Sequence, residues 1–163
     1  MLKVLDGFCV PTRGTKYSAG VDLYAREDVI INMGETKLIP LGVKIDIDYI
    51  KDVIGGDNSA TDEISGAVDA FMRSHYFGLK IRSSSALKGL IIPNGEGVID
   101  MDYPDEINLM VHYPFTPNGV SFYEIEKGDK VAQIMLLKHE TDLLNITSDA
   151  KRIGGFGSTG GTK

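Results

Sequence analysis

The chain has 163 residues, enough for one domain with a real core and too few for two of ordinary size. Its formal net charge of -6 argues against a nucleic acid polymer as the main ligand, since such binders present a basic surface, whereas a small anion held by glycine amides and a few cations is compatible with it. Cys9 is the only cysteine, which excludes an intrachain disulfide; with no apolar stretch of membrane-spanning length and no charged-then-apolar leader, a soluble cytoplasmic protein is expected.

Nineteen glycines and six prolines, many lying between short apolar segments, predict frequent turns and short strands. Residues 2–5 read as the first strand and 11–16 as a polar loop. Strands follow at 21–25 and 29–32, broken by Arg26-Glu27-Asp28. Residues 37–40 lead into 42–47, where apolar and charged residues alternate strictly, the mark of a strand with one buried face. The pattern then changes. Residues 55–58 are loop chemistry, Ser59-Ala60-Thr61-Asp62 has the form of a capping box, and Ile64, Val68, Phe71, Met72 and His75 recur at helical spacing. One short helix over about 60–74 is therefore expected, the one substantial helix of the chain, covering a sheet edge or a gap in the core. Strands resume at 76–81, 90–92, 98–99, 107–112, 120–125, 130–137 and 143–146. The series gives an all-β class over residues 1–150: sandwich, jelly-roll or distorted β-barrel. Residues 151–163 are rich in glycine and small hydroxyls and are expected to form a flexible arm until something orders them.

Several stretches carry chemistry. Gly97-Val98-Ile99-Asp100-Met101-Asp102-Tyr103 follows the turn signal Pro93-Asn94-Gly95, so Asp100 would stand at a strand end, where a carboxylate can act as general base; Asp and Tyr there are also ordinary turn residues. Arg82-Ser83-Ser84-Ser85, between a strand and a loop, offers a planar fork of donors and successive hydroxyls to phosphate oxygens, or is a polar turn. Gly128-Asp129-Lys130-Val131-Ala132-Gln133 sets a turn before a strand, with Gln133 able to donate its amide. Gly154-Gly155-Phe156-Gly157-Ser158-Thr159-Gly160 lets backbone amides converge on an anion while its one aromatic stacks on a planar base.

With Ser18-Ala19-Gly20-Val21-Asp22-Leu23-Tyr24-Ala25, these stretches make five motifs in order along nearly the whole chain, and in them the sequence resembles the trimeric dUTPases, enzymes that split dUTP into dUMP and pyrophosphate. The resemblance implies a β jelly-roll, a homotrimer, and three sites each assembled from several subunits. It also implies roles. Asp100 would activate the water that attacks the α-phosphorus, and Tyr103 would pack on the deoxyribose and exclude a 2′-hydroxyl. Asn94, with the nearby backbone of Gly97, Val98 and Ile99, would read the uracil edge. Arg82, Ser83, Ser84 and Gln133 would hold the phosphates, and Phe156, with Gly157, Ser158 and Thr159, would close over the nucleotide. Mg²⁺ would arrive mainly on the triphosphate, with Asp22 near its water shell or structural.

The sequence departs from the family pattern at four places. Ser85 stands where an apolar residue is usual, and Pro104-Asp105 replace an arginine and glycine after the third motif. Ahead of the tail, Lys151 holds the spacing usual for arginine while Arg152 lies one residue closer, so either reaches the γ-phosphate. Residues 52–74 form an insertion in place of a tight turn, a conceivable surface for a protein partner and otherwise part of the chain's own packing. Two alternatives stand beside the hydrolase: a dUTP-binding regulator that engages a protein through the insertion, and a dCTP deaminase. The deaminase lacks support at Met110, where a glutamate proton shuttle would be expected.

Overall fold

The computed structural model describes residues 1–56, 66–114, 119–146, 148 and 154–155. Ten strands dominate it: β1 (Leu2–Val4), β2 (Val21–Tyr24), β3 (Val29–Asn32), β4 (Thr36–Pro40), β5 (Val43–Ile45), β6 (His75–Ile81), β7 (Gly97–Asp100), β8 (Asn108–His112), β9 (Phe122–Ile125) and β10 (Lys130–Lys138). The main sheet has the antiparallel order β2-β10-β6-β7, and the ladders β1-β5, β3-β9 and β4-β8 complete the β framework. Alternation drives this arrangement. In β3, Val29 and Ile31 point inward while Ile30 and Asn32 face out, and Leu109 and Val111 do the same in β8. Leu23, Ile31, Ile39, Leu79, Leu109 and Ile125 are at most 1% exposed, and each such side chain contributes roughly 1.5–3 kcal/mol of burial.

The insertion differs from the expectation of a single helix. One helix, α1 (Ile47–Gly55), starts directly after β5, where Asp46 accepts a hydrogen bond from Tyr49 N at 3.1 Å and so caps it. Ile47, Ile50 and Ile54 give α1 an apolar stripe, of which Ile50 is fully buried. The alternation read over 42–47 thus ends two residues early. A second helix, α2 (Gly66–Ser74), matches the later part of the expected one and buries Val68; the capping box at Ser59 lies outside the described residues. α2 passes into β6 with no loop between Ser74 and His75.

Three further expectations are corrected. The polar stretch after Arg82 is a short helix, α3 (Ser83–Leu87), with Ser85 buried. Residues 90–92 contribute only an isolated bridge, Ile91 with His112. The 143–146 strand is replaced by a 3₁₀ turn, Thr141–Leu144, ended by Asn145 in the left-handed region at φ 53°, and Leu143, Leu144 and Ile146 lie exposed. A strand needs a partner edge to satisfy its backbone, and this apolar run meets none in the sheets of the described residues.

Candidate active site

Register determines which candidate residues meet. β7 lies antiparallel to β6, pairing Gly97 with Leu79 and Asp100 with Tyr76. Gly97 and Ile99 therefore share the face of buried Leu79, while Val98 and Asp100 take the other. A cavity of about 280 Å³ opens on the first face, bounded by Leu79, Ile92, Asn94, Gly97, Val98, Ile99, Tyr103, Asn108, Leu109, Met110 and Gly155. Five sequence candidates thus converge: Asn94, Gly97, Val98, Ile99 and Tyr103. The walls are apolar apart from two asparagines and a phenol, the composition of a site for a planar ring with a hydrogen-bonding edge.

Tyr103 is 6% exposed and is tied to the catalytic candidate by a tight turn in which Tyr103 N donates to Asp100 O at 3.0 Å. The arm reaches it too. A Cβ on Gly155 would lie 2.5 Å from Tyr103 Cε2 and 2.8 Å from its hydroxyl, so only glycine lets the arm lie against that ring. Asp100 itself borders a different hollow of about 350 Å³, with Met101, Asp102, His139 and, from the insertion and the start of β6, Asp69, Met72, Arg73 and His75.

The cationic residues gather at the other end of β6. Asp22 on β2 is 5% exposed and accepts from Gln133 Nε2 at 3.1 Å; Arg82 Nε lies 3.2 Å from Oδ1 and Lys130 Nζ 3.3 Å from Oδ2. Burial pushes this carboxyl up, but the hydrogen bonds from Gln133 and Lys130 and the charges of Arg82 and Lys130 outweigh it and hold it below the usual carboxylate range. The sequence explains the convergence: Asp22 and Gln133 are directly paired across β2 and β10, and the register shift between Lys130 and Ala132 puts an extra residue in β10, so that Lys130 reaches back to Asp22. Gly20 helps, since a Cβ there would press on Gln133 at 3.2 Å. Arg82 and Ser84 line a shallow hollow of about 220 Å³ with Lys88 and Lys130, while Ser83 begins α3 beside it. Lys130 joins this cationic group without having been singled out in the sequence, where its signal was the Gly128-Asp129 turn that launches β10.

With both oxygens engaged, Asp22 does not suit direct metal ligation, and among the described residues no three His, Cys, Asp or Glu side chains cluster as a metal cage. The donor set fits an ion carried by substrate phosphates and completed by water. Lys151, Arg152, Phe156, Gly157, Ser158 and Thr159 lie outside the described residues. No helix of the described residues is long and apolar enough to cross a membrane.

An apolar ring pocket, a strand-end carboxylate and a cationic shelf on one antiparallel sheet define the class: a mostly-β protein suited to a nucleotide, with a ring at one hollow and phosphates at another. A family model described as dUTPase matches residues 6–56 and 64–160. The deoxyuridine 5'-triphosphate nucleotidohydrolase of Rickettsia akari is 32% identical over 98% of this chain and 95% of its own length. That of Nautilia profundicola is 31% identical over 93% and 90%. The fold is that of a dUTPase from Streptococcus mutans, at TM-score 0.60 and 24% identity over 84% of this chain and 94% of the other. It is also that of the Staphylococcus bacteriophage 80alpha dUTPase, at TM-score 0.61 and 18% identity over 96% of each. The chain belongs to the dUTPase family, the enzymes that hydrolyse dUTP to dUMP, with the family's jelly-roll type of fold.

Proposed function

We propose that this chain splits dUTP into dUMP and pyrophosphate by attack of water on the α-phosphorus, in a homotrimer whose sites are shared between copies. Asn94 and the backbone of Gly97, Val98 and Ile99 meet the uracil edge, and Tyr103 lies against the deoxyribose where a 2′-hydroxyl would project. Arg82, Ser83, Ser84 and Gln133 hold phosphate oxygens, and Asp100 takes the proton of the attacking water. Mg²⁺ bound to the triphosphate supplies charge neutralisation. The contact of Gly155 with Tyr103 supports an arm, residues 151–163, that closes over the nucleotide: Phe156 on the base, Gly157, Ser158 and Thr159 around the phosphates, and Lys151 or Arg152 at the γ-phosphate.

The observation that carries the shared site is spacing along β6. Asp100 pairs with Tyr76, and Arg82 lies six residues further on, roughly 20 Å at about 3.3 Å per residue. A base acts on water within hydrogen-bond reach, so the Asp100 and Arg82 of one copy cannot serve the same α-phosphorus. Asp100→Asn is expected to lower kcat about 10²- to 10⁴-fold while a non-hydrolysable dUTP analogue still binds. Mixing inactive Asp100→Asn and Arg82→Gln subunits is then expected to restore roughly a quarter of the sites, since each draws one intact residue from each of two copies. Near-normal turnover of Asp100→Asn removes the base; inert mixtures that have exchanged subunits remove the shared site. The buried Val68, on a helix that packs against α1 and its buried Ile50, supports the insertion as part of the protein's own core rather than a surface kept for a partner.

A further inference from the structure

The turn that carries Asn94 is followed by a glutamate in unusual surroundings. The β6-β7 register, Gly78 with Val98 and Leu79 with Gly97, continues to set Glu96 opposite Lys80, and Lys80 Nζ lies 3.2 Å from Glu96 Oε1. That oxygen is closed off from solvent without an aligned hydrogen bond, so the ammonium holds it by charge and proximity rather than by a directed bond. It rests over Gly78, where the first carbon of any side chain would collide with it and would also meet Leu137 Cδ1 at 2.7 Å. The backbone of the turn is fastened separately, by Gly95 N to Ile92 O at 3.1 Å and Glu96 N to Asn94 O at 2.9 Å. These bonds shape the turn but do not attach it to the sheet. The turn joins the sheet at Gly97, opposite Leu79, and the side chain of Glu96 adds a second attachment.

We propose that Glu96 is a positioning residue for base recognition: seated over Gly78 and held by Lys80, it pins the Asn94–Gly97 turn to β6 and so sets where Asn94 meets the base. The proposal rests on the reading of the 280 Å³ cavity as the base site. It also follows a longer pattern. The pairs Asp22 with Gln133 and Gln133 with Lys80 extend through the ion pair to Glu96, one polar row across β2, β10 and β6 to the residue before β7. The anchor at one end of that row therefore stands on the same strands as the phosphate-holding groups at the other, and base and phosphate recognition share a frame.

The test uses the full chain and steady-state hydrolysis of dUTP and dCTP, with thermal melts of each variant. Glu96→Ala and Lys80→Met are expected to raise KM for dUTP about 3- to 10-fold with little change in kcat, the equivalent of one misplaced hydrogen bond. They are also expected to narrow the preference for dUTP over dCTP. Gly78→Ala should do the same by evicting the carboxylate, and Gly78→Ala with Glu96→Ala should be no worse than Glu96→Ala alone, because both act through one contact. Glu96→Gln, which keeps the shape, should recover part of the loss. Unchanged KM and selectivity in Glu96→Ala and Lys80→Met overturn the proposal, as does a fall in melting temperature with no change in the KM-to-kcat split. Asn94→Ala separates the two levels: if it too leaves KM unchanged, the base-site reading has failed; if it alone raises KM, only the role of Glu96 has.

Discussion

Replacing Asp22 by asparagine keeps the shape of the side chain and removes the charge on which three donors converge. The carboxylate is 5% exposed and faces Gln133 at 3.1 Å, Arg82 at 3.2 Å and Lys130 at 3.3 Å. An amide oxygen still accepts one of these, but its NH₂ must then face a cation. Converting charge-assisted contacts of about 1.5–3 kcal/mol to neutral or opposed ones sets the scale of the loss. The side chains of Arg82 and Lys130 keep 30% and 42% of their surface in solvent, so water recovers part of it. The expected cost is about 2–3 kcal/mol, below the ~3–5 kcal/mol of a fully buried pair. In a chain of this size that lowers the melting temperature by roughly 4–12 °C, measured at equal protomer concentration because assembly contributes to stability. The pH dependence has a definite sign. The folded carboxyl titrates below its unfolded value, so its contribution is complete above the unfolded pKa and is lost as pH falls through the folded one. The gap between wild type and Asp22→Asn should be level from about pH 5 to 7 and narrow below about pH 4. Calorimetry across that range tests it. A melting temperature within about 1 °C of wild type, or a gap that widens in acid, refutes the reasoning; an unchanged melt with an altered Mg²⁺ requirement would return Asp22 to the metal's water shell.

Two other substitutions test different parts of the molecule. Gly155→Ala places a carbon 2.5 Å from the Tyr103 ring; overpacking of about 1–3 kcal/mol opposes the closed arm, so KM for dUTP should rise about fivefold or more with the melting temperature unchanged, and wild-type kinetics would mean that this contact is absent from the substrate complex. Ile50→Ala empties a fully buried position on α1, against which α2 of the insertion packs, and should cost about 2–5 kcal/mol in urea unfolding; a loss under about 1 kcal/mol would make this packing peripheral and revive the insertion as a partner surface.

The strands were legible where one face is buried. Val29 and Ile31 against Ile30 and Asn32 carry the period of two within four residues, and β3 lies where that pattern places it. Alternation over residues 42–47 was a true strand signal that overran, because Asp46 and Ile47 fit equally well as the next pair of a strand or as the cap and first turn of a helix. The stripe of Ile47, Ile50 and Ile54 was available to decide between them. At 143–146 the sequence offered apolar residues but not the partner edge that makes a strand, and no single segment contains that information. The site divides the same way. Asn94, Gly97, Ile99 and Tyr103 lie within ten residues and could be read as one unit, whereas Leu79 on β6, Asn108 and Met110 on β8, and Glu96 opposite Lys80 take their places through the pairing of distant strands. Register is set by the assembled core, so their roles were not visible in local composition.

β6 is the element on which these parts depend. Its centre is fixed by burial, with Phe77 at 5% and Leu79 at 1% exposed, and its far end by the bond from Arg82 N to Val131 O at 3.1 Å. The near end, also paired with β10, carries a further support. It emerges from α2 without a loop, and α2 packs on α1, so the insertion bears directly on Tyr76 and, through that pairing, on Asp100. The hollow between α2 and the Asp100–Asp102 turn places Asp69, Arg73 and His75 on the side of the catalytic candidate away from the base cavity. Both ends of β6 are paired with β10, His75 with Lys138 and Ile81 with Ala132, so the insertion joins the same ladder that carries the phosphate end. That shared strand is a reason for the insertion to be packed into the core: a segment that adjoins the catalytic candidate must be at least as rigid as the strand it extends.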